Sequence, residues 1–390
     1  MEKRWLLRLG PPLVAVGALG LVASVSAGAS DPPWDPPDCG PDTGSETVAT
    51  AARDAATAAA LSRPGGPEGL AGEAWYRLDP VLDASGTLAG QRLELGVYGG
   101  TSRHVELPPE SFAAGPFGRL VLVGSDDGNG STVRAIDASA ACARLIARES
   151  SVVRRAVIDP AGTTVYEFRV DRATRADLGV WRRPLAGGDA DRVLAQLPAN
   201  ELFGRTFSTE LGWSLEGDRL VVQQCGHSSC RTRLVDPGTG HVSTIARPEL
   251  GELVGVADGR VVAYAACPGL PCSILSVEAS TGRTALVAEA AGLAQLVPTD
   301  AGPRVIHENG PDEDRHLRST DLAGGSPVTI PAPVGDLRLV PASARASAGT
   351  QLPAGWVLLA PDGRRAGGSS RPVLVRLADG LTVSLGEVTR

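Results

Sequence analysis

The chain has 390 residues, a formal net charge of −7, and 43% hydrophobic but only 4% aromatic residues. A chain this acidic is a poor partner for phosphate backbones or anionic lipid, which argues against nucleic-acid binding and membrane-surface binding. Its single lysine, Lys3, lies in the first few residues, so Schiff-base chemistry and a Walker-type phosphate loop are excluded, since both need a lysine amine.

The N-terminus carries basic Lys3, Arg4 and Arg8 ahead of an apolar run from Leu13 to Ala27, and Ala27-Gly28-Ala29 supplies small residues for cleavage. This predicts a signal peptide over 1–29 and a secreted or extracytoplasmic mature chain beginning near Ser30. An uncleaved N-terminal membrane anchor is the alternative, although the run is short and broken by glycines. Cys39 follows a Pro/Asp stretch and is out of place for lipid attachment. Residues 30–72 read as a Pro/Ala/Gly-rich tether, with one short helix expected in the Ala-rich patch Thr47 to Leu61.

From 73 onward a tight turn followed by a β-pattern recurs. Asp236-Pro-Gly-Thr-Gly240 leads into His241-Val-Ser-Thr-Ile245, Glu278-Ala-Ser-Thr-Gly282 into Arg283-Thr-Ala-Leu-Val287, and Asp321-Leu-Ala-Gly-Gly325 into Ser326-Pro-Val-Thr-Ile330. Weaker copies centre on Gly100, Ala141, Gly188 and Gly380, and successive copies lie 41 to 55 residues apart. That period is one four-stranded propeller blade. A second set of turns, near Gly118, Gly162, Gly217, Gly259, Gly302 and Gly355, joins the first and second strands of each blade. The fold class is therefore all-β: a β-propeller of four-stranded antiparallel blades over 73–390, seven by this count, with six or eight as alternatives. Blade 1 lacks an evident inner strand, and one from the opposite end of the chain is expected to close the ring.

The stretch Ile158-Asp-Pro-Ala-Gly162-Thr-Thr-Val-Tyr-Glu-Phe168, with Val180-Trp181 and Leu185-Ala-Gly-Gly188 downstream, resembles the WD40-like repeat of TolB-type propellers. The resemblance is at the level of the fold. It implies an extracytoplasmic interaction platform, usually of six blades where seven are counted here.

Six cysteines in an exported chain point to disulfides. Cys225-Gly-His-Ser-Ser-Cys230 and Cys267-Pro-Gly-Leu-Pro-Cys272 occupy equivalent tips of adjacent blades, and each is expected to bridge its own hairpin. A four-cysteine zinc site helped by His227 is the competing reading. Cys39 and Cys142 remain, either as a staple of the tether onto blade 2 or as two free or intermolecular thiols.

With strands lettered A to D from the axis outward, B–C and D–A connections emerge on one face, and A–B and C–D turns on the other. The B–C tips differ from blade to blade, and variable loops on a rigid ring are where binding resides. Asp126, Asp127, Arg172, Arg175, Asp312, Asp314, Arg364 and Arg365 are the interaction candidates. Trp181, Trp213 and Trp356 are expected to pack between blades. The five histidines show no metal spacing, and His307 and His316 read as surface residues flanking an acidic loop. No cofactor motif is present; the segment 125–130 lacks the terminal Glu of an EF-hand loop. The function read from sequence is a monomeric, non-catalytic binding or scaffolding module for a protein or cell-envelope ligand. The alternative is a propeller hydrolase or lyase using His316, Asp312 and Asp314.

Overall fold

The computed structural model describes residues 36–39, 73–98, 102–195, 208–226, 230–267, 269–310, 314–332, 337–340, 348–350, 352–361 and 372–385. The signal segment and the Ala-rich patch lie outside them. No helix occurs among the described residues, whose strands form seven four-stranded antiparallel sheets, one per blade. Blade 4 is representative: Ser208–Trp213, Leu220–Cys225, Cys230–Val235 and Val242–Arg247 pair in sequence order. Its B strand is buried at every position because neighbouring blades cover both of its faces, and its two buried glutamines, Gln223 and Gln224, are hydrogen-bonded to Thr232 and Asp177.

Seven hydrophobic clusters fill the seams, each shared by two consecutive blades. One joins Trp75 and Tyr98 of blade 1 to Val340, Trp356 and Leu358 of blade 7, which closes the ring. The inner strand of blade 1 is Ala348–Thr350, antiparallel to Trp75–Arg77. It does come from the far end of the sequence, but it is inserted between the A strand Leu337–Leu339 and the B strand Trp356–Pro361 of blade 7.

The glycine turns do two jobs. Gly118, Gly162, Gly217, Gly259, Gly302 and Gly355 all take the left-handed backbone that side chains resist. In C–D turns, other glycines, Gly324 and Gly380, also let the turn of one blade approach the outer strand of the preceding one. A Cβ on Gly324 would lie 2.3 Å from the carbonyl oxygen of Leu286, and one on Gly380 would lie 1.7 Å from that of Pro331. Blade 6 corrects the sequence reading by one residue: its left-handed position is Gly324 (φ 81°), not Gly325. The Gly324 amide bonds to Asp321 O, three residues back, whereas Gly240 reaches Asp236 O, four residues back.

A controlled comparison follows from two turns with nearly equal φ, Gly240 at 72° and Gly380 at 73°. Nothing lies within 4 Å of a Cβ built on Gly240, so alanine there is expected to cost only the left-handed strain, about 1–2 kcal/mol. Gly380→Ala adds a clash with backbone and is expected to cost a further ~1–3 kcal/mol. Urea unfolding of the two variants checks the difference.

Candidate functional site

The two faces of the ring are built differently. On the A–B and C–D face, carboxylates are taken up by their own turns. Asp159 Oδ1 accepts from the amides of Thr163 (2.7 Å) and Thr164 (2.8 Å), and Asp236 Oδ1 from those of Gly238 (2.9 Å) and Thr239 (3.0 Å). Asp379 accepts from Arg376 and from the Leu381 amide, and the Arg376 hydrogen bond above all brings its carboxyl down to about 2.

The B–C face carries unlike tips. In blade 1 the B strand Ala74–Leu82 and the C strand Leu88–Val97 are the longest among the described residues, and every residue from Leu82 to Ala89 is exposed. Leu82 and Leu88 sit directly across from each other, 58% and 41% exposed. The Asp83 carboxylate is turned into this arm, accepting from Ser85 N, Ser85 Oγ and Thr87 N at 2.6–2.9 Å, which hold it ionised. Gln91 Nε2 ties the base to the D–A connection through Pro109 O (2.7 Å) and Ser111 O (3.0 Å). Sequence reasoning missed this arm; the unusual length of the strand pair was the available signal.

The predicted charges of blades 2 and 3 are brought together. Arg172 donates to Asp126 at 2.8 Å and to Ser150 O at 3.1 Å, linking the two tips. Burial works against the ionised Asp126, but the hydrogen bonds from Arg172, Gly128 and Ser131 outweigh it and hold its carboxyl below the usual range. Asp127 is likewise lowered by the Gly130 and Asn129 amides. Arg175 sits exposed on a left-handed backbone (φ 59°) at the tip of blade 3.

Adjacent tips in blades 4 and 5 are closed by the disulfides Cys225–Cys230 and Cys267–Cys272, and Cys39–Cys142 pins the tether, so all six sulfurs are paired. The bridge of blade 5 presents Leu270, 47% exposed. His227, Asp312, Arg364 and Arg365 lie outside the described residues.

In blade 6, His307 and His316 share one side of the B–C hairpin, with Arg318 across from His307. His307 is not a surface residue: it is 1% exposed, because its side of the strand faces blade 5. His316 Nδ1 meets the backbone oxygen of Asp314 at 3.3 Å, and Arg318 Nε points at its other nitrogen from 3.1 Å. Glu308, on the opposite side, accepts from Arg338 and caps the Leu339 amide (2.8 Å) of blade 7. Among the described residues no three His, Cys, Asp or Glu side chains are placed to hold a metal ion. Two of the three tryptophans pack at or across seams: Trp213 lies edge-on against Tyr166 of blade 3 with centroids 5.4 Å apart, and Trp356 lies in the seam between blades 7 and 1, whereas Trp181 donates to Leu178 O within its own blade.

Burial, reinforced by nearby Arg318 and His316, pushes His307 below its ordinary value. Below about pH 6.5 the unfolded state gains a proton that the folded state refuses. Stability is therefore expected to fall on acidification by up to ~1.4 kcal/mol per pH unit from this residue, until the folded form titrates. Urea unfolding across that range, with His307→Asn set against the parent protein, reads the contribution as a loss of acid-side slope.

No family model and no curated protein matches the chain. Among solved structures it is similar to a prolyl endopeptidase at 12% identity and TM-score 0.50, over 85% of this chain and 53% of that one. It is similar to an oligogalacturonate lyase in complex with manganese at 14% identity and TM-score 0.49, over 79% and 84%. TolB from Acinetobacter baumannii is similar at 13% identity and TM-score 0.41, over 70% and 66%. The chain spans about half the length of the prolyl endopeptidase, and likeness at this identity speaks to the propeller fold alone.

Proposed function

We propose that the protein is an exported, non-catalytic propeller that binds a protein or cell-envelope ligand on its B–C face. The observation that carries this reading is the contrast between the faces. One consists of short turns that resemble one another, such as those at 236–240 and 278–282. The other presents unlike tips, braced by two disulfides and the Asp126–Arg172 bridge, beside an arm with two exposed leucines. Bracing removes tip entropy before binding, so less is lost when a partner docks. Apolar side chains on a stiff support, with charges around them, are what an interface core and rim require. Three disulfides also fit an oxidising compartment outside the cytoplasm. The hydrolase or lyase reading gains no support from blade 6, where Asp314 meets His316 through its backbone.

The test is affinity capture from the native envelope with purified parent and variant proteins. Leu82→Ser with Leu88→Ser, and separately the alanine set at Asp312, Asp314, Arg364 and Arg365, are expected to weaken a captured partner by at least about tenfold, the weight of one hot-spot residue. Thr239→Ala, on the opposite face, is expected to change nothing. Equal capture by all the variants would remove the proposal.

A further inference from the structure

The chain holds three asparagines, and two of them, Asn129 and Asn309, precede glycine; Asn200 precedes Glu201. A glycine amide has no side chain in the way of the preceding Asn Cγ, so it can close a five-membered imide if the backbone is exposed and something accepts its proton. The two Asn-Gly pairs differ in both respects. Asn309 ends the B strand Arg304–Asn309 and is half-buried in register with His316. Gly310 is boxed in by backbone, since a Cβ there would meet Asp314 O at 2.5 Å. Asn129 lies instead at the exposed tip between Leu120–Asp126 and Ser131–Asp137 of blade 2, outside the strand ladder. One carboxylate oxygen, Asp127 Oδ1, sits 2.8 Å from the Asn129 amide nitrogen and 2.8 Å from the Gly130 amide nitrogen.

We propose that Asn129 is a site of spontaneous covalent modification, converted through a cyclic imide to isoaspartate and aspartate, with Asp127 as the base on the attacking nitrogen. The Gly130 nitrogen bonds to Asn129 Cγ while its proton passes to Asp127. The bond between Cγ and the side-chain nitrogen Nδ2 of Asn129 then breaks, and Nδ2 leaves as ammonia, taking up the proton from Asp127. Water opens the imide at either carbonyl, giving aspartate at one and isoaspartate at the other. The net change is one water consumed and one ammonia released, with no oxidant or reductant. Isoaspartate lengthens the backbone of the tip by one carbon, and either product adds a carboxylate close to Asp126, the partner of Arg172. The site stands whether or not the B–C face binds a partner. If that face does bind one, modification ages it by one negative charge.

Peptide mapping of the purified full-length protein, held at neutral pH and physiological temperature, measures isoaspartate at each asparagine over time. The expected result is accumulation at 129 ahead of 309 and 200, slowed at least about tenfold by Asp127→Ser, which keeps a hydroxyl acceptor but no carboxylate base, and partly restored by Asp127→Glu. Accumulation at 309 or 200 equal to or faster than at 129, or none at 129, overturns the site. An unchanged or faster rate in Asp127→Ser overturns the role of Asp127.

Discussion

Replacing Glu167 by alanine is expected to lower the unfolding free energy by about 3–5 kcal/mol, among the largest single effects in the molecule. Glu167 is fully buried in the B strand Thr164–Val170, on the side facing blade 2. It accepts from Arg169 Nη2 at 2.5 Å and from Arg183 Nε at 2.8 Å. Both guanidinium groups also reach Glu149 at the end of the D strand of blade 2, Arg169 at 2.9 Å, and Arg183 donates to Gly188 O at 2.9 Å. Arg169 lies 4.8 Å over the Trp181 ring. Two positive and two negative groups thus neutralise one another inside a seam. Removing the innermost carboxylate leaves two arginines, each 7% exposed, with half their compensation. Replacing all four by apolar residues of similar volume is expected to be milder than Glu167→Ala, since no charge is then stranded. Urea unfolding of both variants ranks them.

Loss of the Cys39–Cys142 bridge, by serine at both positions, is expected to cost a comparable amount. The two residues are 103 apart in sequence, and closing a loop of that size contributes about 4.7 kcal/mol in the chain-entropy model. The native side is well supported: Asp38 bridges in parallel to Ala143, with Cys39 N to Ala143 O at 3.0 Å and Ala143 N to Pro37 O at 2.9 Å. The tether therefore adds an isolated parallel bridge to the outer edge of blade 2, covering part of that edge strand. Thermal or urea unfolding with and without the bridge measures the effect. By contrast, the two tip bridges each close a six-residue loop and contribute only about 2 kcal/mol, so their main effect is stiffness.

The fold was legible because turn chemistry is local. Each A–B glycine proposed from sequence takes a positive φ, and Ala141, Gly240, Gly282 and Gly380 mark C–D turns as read. The bridges Cys225–Cys230 and Cys267–Cys272 were readable for the same reason, since each lies within one hairpin, whereas Cys39–Cys142 was one of two readings that spacing left open. What escaped the reading depends on how far an element runs or which side it turns to solvent. The leucines of the blade 1 arm look like ordinary strand ends until the absence of a third strand beside them is seen. His307 looks like a loop flank, but strand parity turns it toward blade 5. The Glu149–Glu167–Arg169–Arg183 lattice left a trace, since Glu167 and Arg169 alternate with Tyr166, Phe168 and Val170 along one strand. Charged residues at every second position of an otherwise apolar, doubly covered strand must pair within a seam. The strand Ala348–Thr350 left none, as three residues carry no pattern of their own.

Everything about the two faces rests on that strand closing the ring. Tyr76 lies directly across from Gly349, so cysteines placed at these two positions meet across the ladder. Oxidation of the Tyr76→Cys, Gly349→Cys variant, followed by peptide mapping, is predicted to give an intramolecular 76–349 disulfide in the native protein and none in urea. A failure of 76 and 349 to join under native conditions, or joining only between separate molecules, would contradict the closed seven-bladed ring.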